Sequence, residues 1–218
     1  MKLVAKTFLA GAVLAAATVT STAQAADWSA NIGFNSEYYY RGILQAPSSA
    51  NGGVDVEAGG FYAGVWGADV SDGLEIDLYA GYNFEVNDDL SFTVGFTDYE
   101  YTGEFDTYYR EINLAASFGF LSVGYSDGIH GVDGGDDNEY GFWEVTAEHN
   151  GFYGKVAGYT KDFEGEYLEF GYGTTVSDID LGAALIFNSK ELSDQTGGNG
   201  QPTEGQAFVF SISKSFDL

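Results

Sequence analysis

Two histidines and a surplus of carboxylates are the residues of this 218-residue chain whose chemistry could serve a site. Nucleophilic triads and transition-metal centres both lean on histidine, so the positions of His130 and His149 bound the search. His130 has Ser126, Asp127 and Asp133 nearby in sequence, which is the arrangement a barrel lipid hydrolase would need; a solvated loop histidine accounts for the same residues. His149 precedes Asn150-Gly151, a turn signal, and has no such company. The stretch Asp133-Gly-Gly-Asp136-Asp137-Asn-Glu139 offers hard oxygen donors suited to Ca²⁺ from Asp133, Asp136, Asp137 and Glu139, but it lacks the spacing of an EF-hand loop. A flexible acidic loop is the favoured reading. With no cysteine there is no thiol or Cys-metal chemistry. The chain reads as a non-enzyme without a cofactor, a loop Ca²⁺ apart.

The carboxylates carry more information because of where they alternate. In Leu74-Glu-Ile-Asp-Leu-Tyr-Ala-Gly-Tyr-Asn-Phe84, apolar Leu74, Ile76 and Leu78 share one strand face, and Glu75 and Asp77 share the other. Near the C-terminus Phe208, Phe210, Ile212, Phe216 and Leu218 repeat the apolar face opposite small polar residues. Strands of this alternation, about 9–11 residues long, span a bilayer as a β-barrel, with the apolar face to lipid and the polar face to the lumen. On that reading Asp55, Glu57, Glu75, Asp77, Glu111, Glu144, Glu148 and Glu169 face the lumen, and Lys155 points inward with Val156 outward. Arg110 lies on an outward face near the outer end of its strand, where a guanidinium could meet lipid phosphates or stand in water as a rim residue. Lys214 shares the lipid side of the last strand and must sit low, its stem snorkelling to the headgroups.

The elements that position these side chains follow from the turns. Lys2 and Lys6, an apolar run from Phe8 to Ala17 and Ala23-Gln24-Ala25 form a Sec-type signal peptide over residues 1–25, leaving one domain at 26–218. The mature chain then keeps six basic residues against 33 acidic ones, a formal charge of −27. That excludes nucleic acid as a natural partner, while 17% aromatic residues and the regular period exclude disorder. Turn signals divide the domain into about twelve strands. The first runs from Trp28 to Tyr40, and a long loop from Arg41 to Gly53 leads to a short strand at Val54–Ala58. Tight turns fall at Gly59, Asn87, Gly119, Asn150 and Ser177. Long loops at Arg41–Gly53, Asp127–Asn138 and Asn188–Gly205 fall at the opposite end, as short periplasmic turns and long outer loops would. The expected fold is therefore all-β, a single transmembrane antiparallel β-barrel of about twelve strands. A soluble β-sandwich would show shorter strands and fewer aromatics near strand ends.

Three blocks carry a family resemblance: Ser36-Glu-Tyr-Tyr-Tyr-Arg-Gly42, Gly60-Phe-Tyr-Ala-Gly-Val-Trp-Gly67 and Leu74-Glu-Ile-Asp-Leu-Tyr-Ala-Gly-Tyr82. In this order they resemble the TorF-type porin family of Gram-negative outer membranes, also known as the Gcw_chp family. The terminal Phe216-Asp217-Leu218 is similar to the aromatic-ended signal read by barrel-assembly machinery. The resemblance implies an outer-membrane barrel that forms a pore, with lipopolysaccharide and outer-membrane lipid as its surroundings and no solute specified. Rings of carboxylate favour cations, so the expected function is passive diffusion of small hydrophilic solutes with cation preference. The alternatives are a non-conducting structural or adhesive barrel, a barrel lipid hydrolase, and a soluble periplasmic binding protein. Twelve strands lie between side-chain-filled barrels of about eight and open porins of about sixteen, so a loop such as Asn188–Gly205 folding inward would suffice to plug the lumen.

Overall fold

A computed structural model describes residues 26–218, which form strands, turns and loops and no helix. The residues read as a signal peptide lie outside that range. The strands are β1 (Asp27–Asn35), β2 (Tyr38–Tyr40), β3 (Ile43–Ala46), β4 (Ser49–Ala58), β5 (Phe61–Asp69), β6 (Leu74–Glu85) and β7 (Leu90–Tyr101). They continue as β8 (Tyr109–Phe118), β9 (Leu121–His130), β10 (Asn138–His149), β11 (Phe152–Lys161), β12 (Glu166–Val176), β13 (Ile179–Asn188) and β14 (Gly205–Asp217). Twelve of them form a closed antiparallel barrel in which each pairs with its sequence neighbours and β1 closes the ring against both β4 and β14. Closure leaves no sheet edge, so every backbone group of the wall finds a partner without water.

Period-two alternation sorts the side chains of this wall. Leu74, Leu78, Phe96, Leu114, Leu168 and Phe208 are exposed on the outer surface. Their strand neighbours Glu75, Asp77, Thr97, Glu111, Tyr167 and Glu169 are buried inside. Trp28, Phe61, Phe84, Phe118, Phe120, Phe152 and Phe216, all outward, encircle the end that carries the short turns, as an aromatic interface girdle does. Asn150 and Gly151, at φ 52° and 81°, make the type I′ hairpin that their sequence signals. Lys214 lies outward near this end, opposite Ile32 and 5.6 Å from the Phe216 ring centre. Toward the other end Arg110 pairs with Asp98 at 2.9 Å and Glu100 at 3.3 Å and covers the Tyr108 ring, so its guanidinium is held by carboxylates of the protein itself.

Two stretches of the wall differ from the sequence reading, for one physical reason each. The first strand ends at Asn35, and β4 starts at Ser49 directly opposite it, so the wall resumes five residues before the expected strand. Gly52 and Gly53 resemble a turn in sequence, yet they occupy ladder positions facing Ile32 and Asn31. Likewise β9 runs on to His130, through Asp127 and Gly128, leaving a loop of 131–137 only. Asp127 is outward against Lys161 at 2.8 Å, and Gly128 lies under the Tyr140 ring, where a Cβ would come within 2.6 Å of it.

The residues displaced from the wall, 36–48, are the main departure. They form the β2–β3 hairpin, which leaves the end of β1 and enters the lumen. Tyr38 and Tyr40, read from the sequence as the end of the first wall strand, are therefore inside: Tyr38 is 2% exposed. One side of the hairpin, with Tyr38, Tyr40 and Ala46, packs with Trp66, Ala68, Val70 and Tyr101. The other, with Tyr39 and Ile43, packs with Phe142, Ala157, Tyr167, Ile186, Leu192 and Val209. Two apolar clusters thus connect the hairpin to opposite walls and fill the half of the barrel near the long loops.

Candidate functional site

The tip of the hairpin is Arg41-Gly42, and both residues have positive φ, 49° and 82°. A two-residue type I′ turn demands that geometry at both positions, and Asn-Gly or Gly-Gly supplies it cheaply. Gly42 is required here twice over, because a Cβ on it would lie 2.8 Å from the Tyr167 ring. Arginine at the first position has no such local justification, so its place must be secured by what the side chain reaches.

It reaches the opposite wall. Nη1 donates to Glu111 Oε2 at 2.7 Å and Nη2 to Glu111 Oε1 at 2.8 Å, a two-point ion pair, and Nη2 also donates to Ser126 Oγ at 3.0 Å. The guanidinium lies 4.3 Å from the centre of the Phe142 ring and 5.0 Å from that of Tyr40. Glu111 further accepts from Tyr99 Oη and Tyr140 Oη, each at 2.8 Å, so its two oxygens accept four hydrogen bonds. A carboxylate has about four lone-pair sites, and this one is saturated. Charge-assisted pairs of this kind are stronger than neutral ones, and a carboxylate this buried requires them.

Around this pair the other carboxylates take distinct places. Glu75 is buried and accepts from Tyr38 of the hairpin at 2.5 Å and from Tyr101 at 2.9 Å. Asp77, 5% exposed, has a buried oxygen with no hydrogen-bond partner. Deeper toward the short turns, Asp55 accepts from Tyr79 and from Asn31, Glu169 accepts from Tyr153, and Glu144 pairs with Lys155 at 3.0 Å. Glu57 and Glu148 are half-buried on the same inward positions. All eight residues named from the sequence as lumenal thus sit on the inner side of their strands. Of the eight named as lipid-facing, Leu74, Leu78, Phe208, Phe210, Ile212, Phe216 and Leu218 are exposed outside, and Ile76 is half-exposed.

The remaining candidates are not assembled for chemistry. His130 bonds Asp106 at 3.0 Å through Nε2 and stacks on Tyr109 at 4.2 Å, whereas Ser126 bonds Asn113 and Arg41. Asp127 faces out, so the Ser126–His130–Asp127 arrangement does not form. His149 is exposed beside its turn. Among the described residues no three His, Cys, Asp or Glu side chains converge to hold a metal ion. Asp137 instead accepts from Tyr108, and Glu139 lies 3.8 Å from Lys161. The loop 189–204, part of the segment whose inward folding would plug the lumen, contributes Leu192, which presses on Gly42, while Asn188 at the end of β13 donates to the Gly42 carbonyl. Sequence reading missed Arg41, Tyr38 and Tyr40, the first placed in a loop and the other two at the end of the first strand. The available signal was an Arg-Gly dipeptide between two short apolar runs.

Solved structures extend these observations. The NanC porin aligns with 88% of this chain and 100% of its own, at 12% identity and a TM-score of 0.53, which shows a shared barrel fold. OccAB2 of Acinetobacter baumannii aligns over 86% of this chain and 60% of its own at 10% identity and a TM-score of 0.45. OprD of Pseudomonas aeruginosa aligns over 88% and 67% at 12% identity and 0.43. No curated protein sequence matches the chain. A family model described as "Bacterial protein of unknown function (Gcw_chp)" matches residues 19–216, and the chain belongs to that family.

Proposed function

We propose that this protein is a porin-like channel of the Gram-negative outer membrane, passing small hydrophilic solutes by passive diffusion and preferring cations. The observation that carries the reading is the charge of the lumen. The eight inward carboxylates named above, with Asp180 of β13 beside them, face two inward cations, Arg41 and Lys155, while Arg110, Lys161 and Lys214 are outward or at the rim. A lumen so biased lowers the energy of a cation and raises that of an anion. The TorF-type porin likeness belongs to this reading, as do export by a cleaved signal, insertion by barrel-assembly machinery, lipopolysaccharide as the outer neighbour, and a non-enzymatic role. The packed hairpin favours a second reading, a barrel closed at rest, in which conduction requires the hairpin to move.

Reversal potentials in a KCl gradient test the charge argument. Glu57→Gln with Glu148→Gln removes two lumenal charges in the half remote from the hairpin and should reduce cation preference while leaving assembly intact. An anion-selective wild type, or a selectivity indifferent to this double change, would remove the basis for the reading.

A further inference from the structure

The pocket that holds the Arg41 side chain is built more completely than a structural ion pair requires. Glu111 meets the guanidinium with both oxygens, one on each Nη, Ser126 adds a third acceptor, and the Phe142 ring supplies a flat face at 4.3 Å. Tyr99 and Tyr140 occupy the outer lone pairs of Glu111, which fixes the carboxylate in the one orientation that a planar fork can meet. A point-charge ammonium would use this arrangement poorly. The occupant arrives on a turn whose φ of 49° suits asparagine or glycine rather than arginine, so an unfavourable backbone position is retained for the sake of the guanidinium. Independently, the neighbourhood holds a second buried carboxyl group that Arg41 does not bond. Asp77 lies opposite Tyr99 in the β6–β7 ladder, is 5% exposed, and has a buried oxygen without a partner.

From this geometry we infer that the Glu111 pocket is a recognition site for a solute bearing a guanidinium or amidinium group, occupied in the resting barrel by the protein's own Arg41. The hairpin is then a tethered internal ligand, and a free solute of the same chemistry competes with it. The inference rests on the channel reading for its physiological sense, because displacement of the tip from Glu111 frees the hairpin that fills the outer half of the lumen. A short tether gives an effective concentration in the millimolar range, so competition should require solute at about the same concentration at the site.

Methylguanidinium is the probe, with methylammonium at equal ionic strength as the control. The full mature barrel is compared with Arg41→Gly, which removes the guanidinium and suits the positive φ of the turn. Calorimetry on the folded, heat-modifiable Arg41→Gly barrel should show methylguanidinium binding with a dissociation constant on the order of millimolar, lost when Glu111→Gln is added. In the wild type, methylguanidinium should increase both single-channel conductance and chymotrypsin cleavage within Tyr38–Tyr40 several-fold, and methylammonium should not. A folded Arg41→Gly barrel that binds no methylguanidinium overturns the inference, as does equal binding of both cations. Should that variant not assemble, the wild-type cleavage experiment decides alone: protection unchanged by methylguanidinium overturns it. Binding and cleavage that respond as expected in a barrel that never conducts would uphold the site and reject the channel reading, so the two failures are distinct.

Discussion

Glu111 is the residue on which the lumenal architecture turns. Its carboxylate is 1% exposed and accepts two hydrogen bonds from Arg41 and one each from Tyr99 and Tyr140. Removing one member of a buried ion pair leaves the other uncompensated and typically costs about 3–5 kcal/mol. Glu111→Gln, which keeps the volume, should therefore lower the urea midpoint of the folded-to-unfolded migration shift, with a loss toward the lower end of that range because Arg41 retains 11% exposure. Tyr140→Phe removes a single hydrogen bond to a charged group and should cost about 1.5–3 kcal/mol in the same assay. None of this was visible in sequence. The acid at 111 was recognisable as inward from the alternation with Ile112 and Leu114, but its partner lies 70 residues away in a stretch that reads as loop. An arginine flanked by Tyr40 and Gly42 carries no period that would reveal where its head group goes.

At the scale of elements, the strands were legible because lipid and lumen impose a strict two-residue period, and β6 and β14 show it without interruption. Leu78 is outward near the middle of β6, so Leu78→Arg should reduce insertion by about 2–4 kcal/mol if the residue lies near the bilayer midplane, measured as the folded fraction on transfer to lipid vesicles. Where the period failed, the reason was geometric. Gly52-Gly53 and Asp127-Gly128 have the composition of turns but sit in ladders, the first facing β1 and the second beneath Tyr140. The β2–β3 hairpin was illegible for the opposite reason: its Tyr-rich strand has the composition of a lipid face while its surroundings are the barrel interior. Gly42→Ala tests how tightly that element is seated. A Cβ there must displace Tyr167 and adopt φ 82°, so the hairpin should become accessible to chymotrypsin within Tyr38–Tyr40 while the barrel remains heat-modifiable.

For the whole molecule, closure of twelve strands and the asymmetry between short turns and long loops were apparent from the spacing of turn residues, since a barrel wall fixes strand length and loop side together. Whether the enclosed space is open was not apparent, because it depends on long-range packing of 36–48 against both walls. On the function proposed above, this barrel is a cation-preferring channel whose outer half the hairpin obstructs. Asn35 faces Ser49 directly across the β1–β4 ladder, so residues 36–48 can be replaced by the two-residue turn Asn-Gly without disturbing the wall. The decisive measurement is single-channel conductance and reversal potential of this shortened barrel beside the intact mature chain in a planar bilayer under a KCl gradient. The shortened barrel should conduct several-fold more than the intact one, with both reversal potentials on the cation-selective side; equal conductance, silence from both, or reversal on the anion side would contradict the account.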